Sequence, residues 1–99
     1  MTEPASARRE RRKSPRRRVL KGGKAIVANQ HSVIDCTIRD VSDKGARLAC
    51  GQVSALPPEF LLVFVTEHEM RDVRVVWRAA DELGVEFVSP PRSTGHLRL

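Results

Sequence analysis

Apolar and polar residues alternate in short segments along the chain from about residue 24 onward, a period that is typical of β-strands. In the clearest segment Val73, Val75 and Trp77 occupy every second position, which predicts Trp77 as a core residue. No segment has a convincing helical period, so the chain is predicted to be all-β. The predicted strands lie at 25–28, 33–39, 46–50, 60–65, 73–78 and 83–87.

The segments on either side of residues 40–45 predict a β-hairpin. Folding the chain at this turn sets Ile38 opposite Leu48 and Cys36 opposite Cys50, so all four apolar side chains share one face. The two thiols are expected to be buried as small apolar groups, although facing cysteines also allow a redox switch.

Six short strands with short connections predict a small six-stranded antiparallel β-barrel, since closure removes the exposed edges of a small sheet. Gly22-Gly23 is expected to bend the chain before the first strand. Pro90-Pro91 ends the last strand and leaves room for little or no C-terminal helix. The predicted divisions are a flexible arm at 1–18, the barrel at 19–90 and a tail at 91–99.

Charge is distributed very unevenly along the 99 residues. Residues 1–24 contain ten Lys or Arg against two acidic residues, a net charge of +8, whereas the remainder carries −2. The arm has almost nothing to bury and is expected to be mobile in the free protein, where it attracts anions. A chain of this length supports one modest core, which favours a binding module over an enzyme.

Several other classes of protein are disfavoured by the sequence. The longest apolar run, 60–65, is far shorter than the roughly 18 to 20 residues of a membrane span. Two cysteines are too few for a disulfide framework or a zinc ribbon, so a reduced, cytoplasmic protein is expected. No catalytic constellation and no set of metal ligands can be made out, and we predict neither an enzyme nor a bound metal or cofactor.

Two motifs carry candidate chemistry: R-x-x-x-R, formed by Arg12 and Arg16, and D-x-S-x-x-G, formed by Asp40, Ser42 and Gly45. Arginine grips phosphate bidentately and also addresses O6 and N7 of guanine. A carboxylate such as Asp40 accepts from the N1 and N2 donors of guanine. A serine hydroxyl donates to phosphate or caps the turn, and Gly45 is expected to adopt the positive φ that turns backbone N–H groups toward an anion.

Each motif has simpler interpretations. A lone D-x-S-x-x-G is also typical of a strand-joining turn in which Asp40 and Ser42 bond their own backbone. Arg47, just beyond the turn, is expected to be solvated. The arm is rich enough in arginine to offer other registers of the same spacing. The competing assignments are Arg8 with Arg12, Arg9 with Lys13, and Arg17 or Arg18 in place of Arg16.

Four stretches together resemble the PilZ domain, the bacterial receptor module for cyclic di-GMP. They are R-R-K-S-P-R-R-R-V, D-V-S-D-K-G-A-R-L, R-V-V-W-R and L-G-V-E-F-V, in this order from about Arg11 to Val88. The resemblance implies that the two motifs surround the guanines and phosphates of the ligand. It also implies that Arg11, which precedes R-x-x-x-R, influences whether one ligand or a stacked pair binds.

The sequence therefore predicts a single-domain cyclic di-GMP receptor. Its ligand-binding residues would be Arg11, Arg12, Arg16, Asp40, Ser42 and Gly45. Ligand binding would fold the arm onto the barrel and present a changed surface to a downstream effector protein. Two alternatives remain: a PilZ-like domain that acts through protein contacts without the nucleotide, and a barrel whose arm binds nucleic acid nonspecifically. The second is disfavoured because the barrel is weakly acidic and has few aromatic residues.

Overall fold

Seven strands and one short 3-10 turn make up the regular structure of residues 17–27 and 32–95, the parts of the chain that the computed structural model describes. In chain order the elements are β1 (Arg17–Val27), β2 (Ser32–Val41), β3 (Gly45–Ala49), the 3-10 turn (Val53–Ala55), β4 (Glu59–Phe64), β5 (Glu69–Arg78), β6 (Glu82–Phe87) and β7 (Arg92–Ser93). No α-helix occurs within these two ranges. The predicted all-β class is confirmed.

The sheet closes on itself. Its strands follow the order β4-β1-β2-β3-β6-β5, all pairs are antiparallel, and β4 pairs with β5 to complete the ring. The short β7 adds to the first part of β5, with Met70 opposite Arg92. The predicted six-stranded antiparallel barrel is therefore confirmed, and closure leaves the six main strands without a free edge.

Alternation along the strands fills the barrel interior. Residues of the main core that have no exposed surface are Ala25, Ile38, Leu48, Leu62, Val73 and Leu83. They come from all six main strands, because every second side chain of each strand points inward. Burial of these side chains contributes about 25 cal/mol for each Å² of apolar surface removed from water.

The register of the β2–β3 hairpin agrees with the prediction. Ile38 lies opposite Leu48 and Thr37 opposite Ala49, which sets Cys36 and Cys50 at facing positions. Both cysteines are buried free thiols and contact the main core. Their predicted role as small apolar groups is confirmed.

The predicted bend at Gly22-Gly23 is wrong. Both glycines lie inside β1, which runs on without interruption to Val27. A Cβ on Gly23 would lie 3.1 Å from the side chain of Ile38, so this glycine allows β1 and β2 to pack closely. The irregularity in β1 lies earlier, as a register shift between Arg18 and Lys21.

The predicted core position of Trp77 is also wrong. A register shift between Val75 and Trp77 breaks the alternation of β5 and brings Trp77 opposite Gly84. Trp77 is 39% exposed, and a Cβ on Gly84 would lie only 2.2 Å from the indole Nε1. The indole thus covers a glycine on the outer face of the barrel.

The ends of the chain are described only in part. Arg17 and Arg18, the last residues of the predicted arm, lie in β1, and the predicted tail contains β7. The rest of the arm, at 1–16, and the segments 28–31 and 96–99 lie outside the described residues. No helix long and apolar enough to cross a membrane occurs in the described part of the chain.

Candidate functional site

The hydroxyl of Ser42 organises the turn between β2 and β3. Its Oγ accepts hydrogen bonds from the backbone N–H groups of Lys44, at 3.1 Å, and Gly45, at 3.3 Å. The Ser42 N–H in turn donates to the Gly45 carbonyl at 2.9 Å. The serine therefore caps the turn, as the simpler interpretation of the motif expected.

Gly45 is required by close packing, and the positive φ expected for it is wrong. No glycine in the described part of the chain has a positive φ. Gly45 begins β3 opposite Glu86, and a Cβ on it would lie 2.2 Å from the carbonyl oxygen of Val85. Only a residue without a side chain lets β3 approach β6 this closely.

A bulge in β2 decides where Asp40 points. Ile38 pairs with Leu48, but Asp40 pairs with Arg47, so β2 contains one extra residue, Arg39, relative to β3. Val41 then contacts the main core, and the preceding Asp40 lies on the outer face with Arg47. Strict alternation from Ile38 would have directed this carboxylate into the barrel.

Arg47 joins two carboxylates on this outer face. Its Nε donates to Asp40 Oδ2, and its Nη1 donates to Glu82 Oε2 at 2.7 Å. Hydrogen bonds to Asp40 and Glu82 raise the pKa of Arg47 further above its ordinary value. The expected solvated Arg47 is wrong. Asp40 is only 7% exposed, so the carboxylate that Arg47 bonds is almost entirely buried.

The arm joins the barrel beside this motif. In the β1–β2 ladder Arg17 lies opposite Val41 and Arg18 lies opposite Asp40. Directly paired residues of antiparallel strands have Cα atoms about 5 Å apart. Both arginines are exposed, and their pairing with the last two residues of β2 places them next to the start of the turn. The other arm residues of the predicted site, Arg11, Arg12 and Arg16, lie outside the described residues.

A second group of polar side chains lines the open end of the barrel next to Ser42. We call this cavity of about 170 Å³ the barrel mouth; its lining residues are Lys21, Val41, Ser42, Phe64, Glu67, Glu69, Arg71 and Phe87. Sequence reasoning missed the charged members. Arg71 could have been found from the sequence. It lies two positions before the apolar Val73, so alternation directs its side chain to the same inner face.

The family comparison covers nearly the whole chain. The PilZ domain model matches residues 10–98, a range that includes both motifs and every strand of the barrel. The chain belongs to the PilZ domain family. PilZ domains are receptor domains for cyclic di-GMP rather than enzymes. No curated protein matches this PilZ domain.

Proposed function

We propose that this PilZ domain binds cyclic di-GMP between its N-terminal arm and the β2–β3 turn. One observation carries the proposal: the strand that follows R-x-x-x-R enters the barrel paired with D-x-S-x-x-G, Arg17 against Val41 and Arg18 against Asp40. The segment that carries R-x-x-x-R is thus joined through Arg17 to the corner of the barrel at which the D-x-S-x-x-G turn lies. A ligand that carries both guanine edges and phosphates has partners on each side of that corner.

Each group has a role that follows from its chemistry. Arg12 and Arg16 supply planar donor forks for guanine O6 and N7 or for phosphate, and Arg11 adds a further cation. Asp40, oriented by Arg47, accepts from guanine N1 and N2. Ser42 and Gly45 fix the turn that presents this carboxylate.

Binding would order the arm against the barrel. The arm has low hydrophobicity and high charge, so neutralisation of its arginines by phosphate favours a docked state over a solvated one. The docked arm changes the surface around the β2–β3 turn. We propose that a downstream effector protein recognises this changed surface.

The test is calorimetric titration of the Arg12→Ala/Arg16→Ala double variant with cyclic di-GMP. Charge-assisted hydrogen bonds contribute roughly 1.5–3 kcal/mol each, so loss of two should weaken binding by at least about 100-fold. Arg8→Ala/Arg9→Ala removes the same charge from the same arm and should retain most of the affinity. Undiminished affinity in the first variant would overturn the assigned site.

The same titration separates the alternatives. A domain that works only through protein contacts gives no heat with cyclic di-GMP. An arm that binds nucleic acid nonspecifically binds a linear DNA duplex instead, with an affinity that falls steeply with salt and does not depend on Asp40. Ordering of the arm is followed by NMR, as the appearance of dispersed arm amide signals on addition of ligand.

A further inference from the structure

The barrel mouth carries four charged side chains that lie outside the two motifs: Lys21, Glu67, Glu69 and Arg71. The outermost layer of the barrel interior is formed by Lys21, Phe64, Arg71 and Phe87, because each of them lies two residues from a position that faces inward. Arg71 is opposite Leu62, which has no exposed surface, so its side chain points to the same inner face. Polar groups in this layer border the turn at Ser42.

Arg71 is held by an aromatic ring. Its guanidinium carbon lies 4.3 Å from the centroid of Phe87, and Phe87 packs edge-on against Phe64 with ring centroids 6.0 Å apart. No ion pair joins Arg71 to any carboxylate of residues 17–27 or 32–95. A guanidinium that lies over an aromatic ring still has N–H groups available for acceptors.

Both signs of charge occur in the mouth. Lys21 is already bonded to Glu67, and this hydrogen bond lowers the pKa of that carboxyl. Glu69 forms no ion pair within the described part of the chain and lies opposite Phe64 at the same end of the barrel. The mouth therefore offers one donor fork and one acceptor carboxylate beside two phenyl rings.

This combination fits a guanine base better than a phosphate. Guanine presents acceptors at O6 and N7, which suit an arginine fork, and donors at N1 and N2, which suit a carboxylate. Drug-sized ligands occupy pockets of roughly 300–1,000 Å³, so a cavity of about 170 Å³ has room for one base and not for a whole dinucleotide. Ser42 borders the mouth and is two residues from Asp40, a separation of at most about 7 Å, which a dinucleotide spans.

We propose that the barrel mouth is a subsite for one guanine base of the ligand, with Arg71 donating to O6 and N7 and Glu69 accepting from N1 and N2. This inference rests on the proposed binding of cyclic di-GMP at the adjoining turn. It adds Arg71 and Glu69 to the specificity-determining residues of the domain.

The test compares Arg71→Met with Arg92→Met by calorimetry, using cyclic di-GMP and cyclic di-AMP as probes. Both variants lose one positive charge, but Arg92 lies on the outer side of the barrel, paired with Asp72. Arg71→Met should weaken cyclic di-GMP binding at least about tenfold and leave cyclic di-AMP binding nearly unchanged, because adenine lacks O6. Arg71→Lys keeps the charge without the fork and should not restore the preference for guanine.

Each contrary result has a definite meaning. If Arg71→Met binds as Arg92→Met does while Arg12→Ala/Arg16→Ala loses binding, the subsite is wrong and the proposed function stands. An equal loss for both dinucleotides also overturns the guanine assignment. If the unchanged protein binds no cyclic di-GMP, both proposals are wrong. Thermal denaturation checks folding, and if Arg71→Met is unfolded, Glu69→Gln decides, since undiminished selectivity in that variant overturns the subsite.

Discussion

At the scale of single residues, the most constrained group near the site is the carboxylate of Asp40. It is almost buried, and Arg47 bonds it while also bonding Glu82 on β6. A buried carboxylate that loses its cation is strongly unfavourable, whereas exposed ion pairs contribute little. Arg47 therefore supports the fold and also orients the proposed guanine acceptor.

We predict that Arg47→Met lowers the melting temperature by several degrees and weakens cyclic di-GMP binding, because Asp40 is left buried with one fewer donor. Thermal denaturation and calorimetry measure the two effects. The control is Arg74→Met, which breaks the more exposed pair with Glu86. Equal melting temperatures for the two variants would contradict the role assigned to Arg47.

At the scale of elements, alternation predicted the six main strands and failed at two places where a bulge shifts the register. The hairpin register at Ile38 and Leu48 was predictable because apolar residues agree on both sides of the turn. The extra residue at Arg39 and the shift before Trp77 were not, because a bulge leaves no mark in the hydrophobic pattern. Both shifts turn a side chain to the outer face, which is why the outward Asp40–Arg47 pair and the exposed Trp77 were missed.

The glycines were also predicted incorrectly, because their role depends on contacts that a local pattern does not contain. The sequence marks where a glycine occurs but not whether it permits a turn or a close approach. Gly22-Gly23 was predicted as a bend and lies within β1, and Gly45 was predicted to need a positive φ and instead lies against Val85. Contacts between strands distant in sequence decide the matter, and a local pattern does not contain them.

We predict that Gly45→Ala destabilises the domain by roughly 1–3 kcal/mol, because its Cβ would collide with the Val85 carbonyl on β6. Urea denaturation measures the free energy of unfolding. Gly22→Ala is the matched control, since no atom lies within 4 Å of the Cβ it would add. A free energy of unfolding equal to that of the unchanged protein would show that close packing of β3 against β6 does not require a glycine at position 45.

At the scale of the whole molecule, the uneven charge was predictable from composition, while the place where the arm meets the barrel was not. A net charge of +8 over residues 1–24 predicts attraction of anions whatever the fold. Only the β1–β2 ladder brings Arg17 and Arg18 against the D-x-S-x-x-G turn. The sequence therefore predicts the chemistry of the proposed site, whereas the pairing of β1 with β2 was needed to place Arg17 and Arg18 beside the turn.

Global stability should fall in alkali because of one buried thiol. Burial, followed by the proximity of Cys50, raises the pKa of Cys36 from 9.0 to about 12. The folded state thus holds a proton that the unfolded chain releases above pH 9.0, so the stabilisation is fully present below pH 9.0 and is lost as the pH rises toward 12. The slope is at most about 1.4 kcal/mol for each pH unit.

We predict that Cys36→Ala flattens this decline. The free energy of unfolding, measured in urea at intervals from about pH 8 to about pH 10.5, should fall less steeply in the variant than in the unchanged protein. Comparing the two proteins removes the contribution of lysines and other groups that titrate in the same range. Parallel curves would show that Cys36 does not hold its proton in the folded state.

The outer face of the barrel has a practical consequence for experiments. Asp40, Arg47, Gly84 and Trp77 are successive partners across four strands, and Trp77 is the single tryptophan of the chain. Because no other indole emits, its fluorescence gives an unlabelled optical readout of this one face. A change in emission wavelength or quenching on titration would report events near Asp40 without any engineered dye.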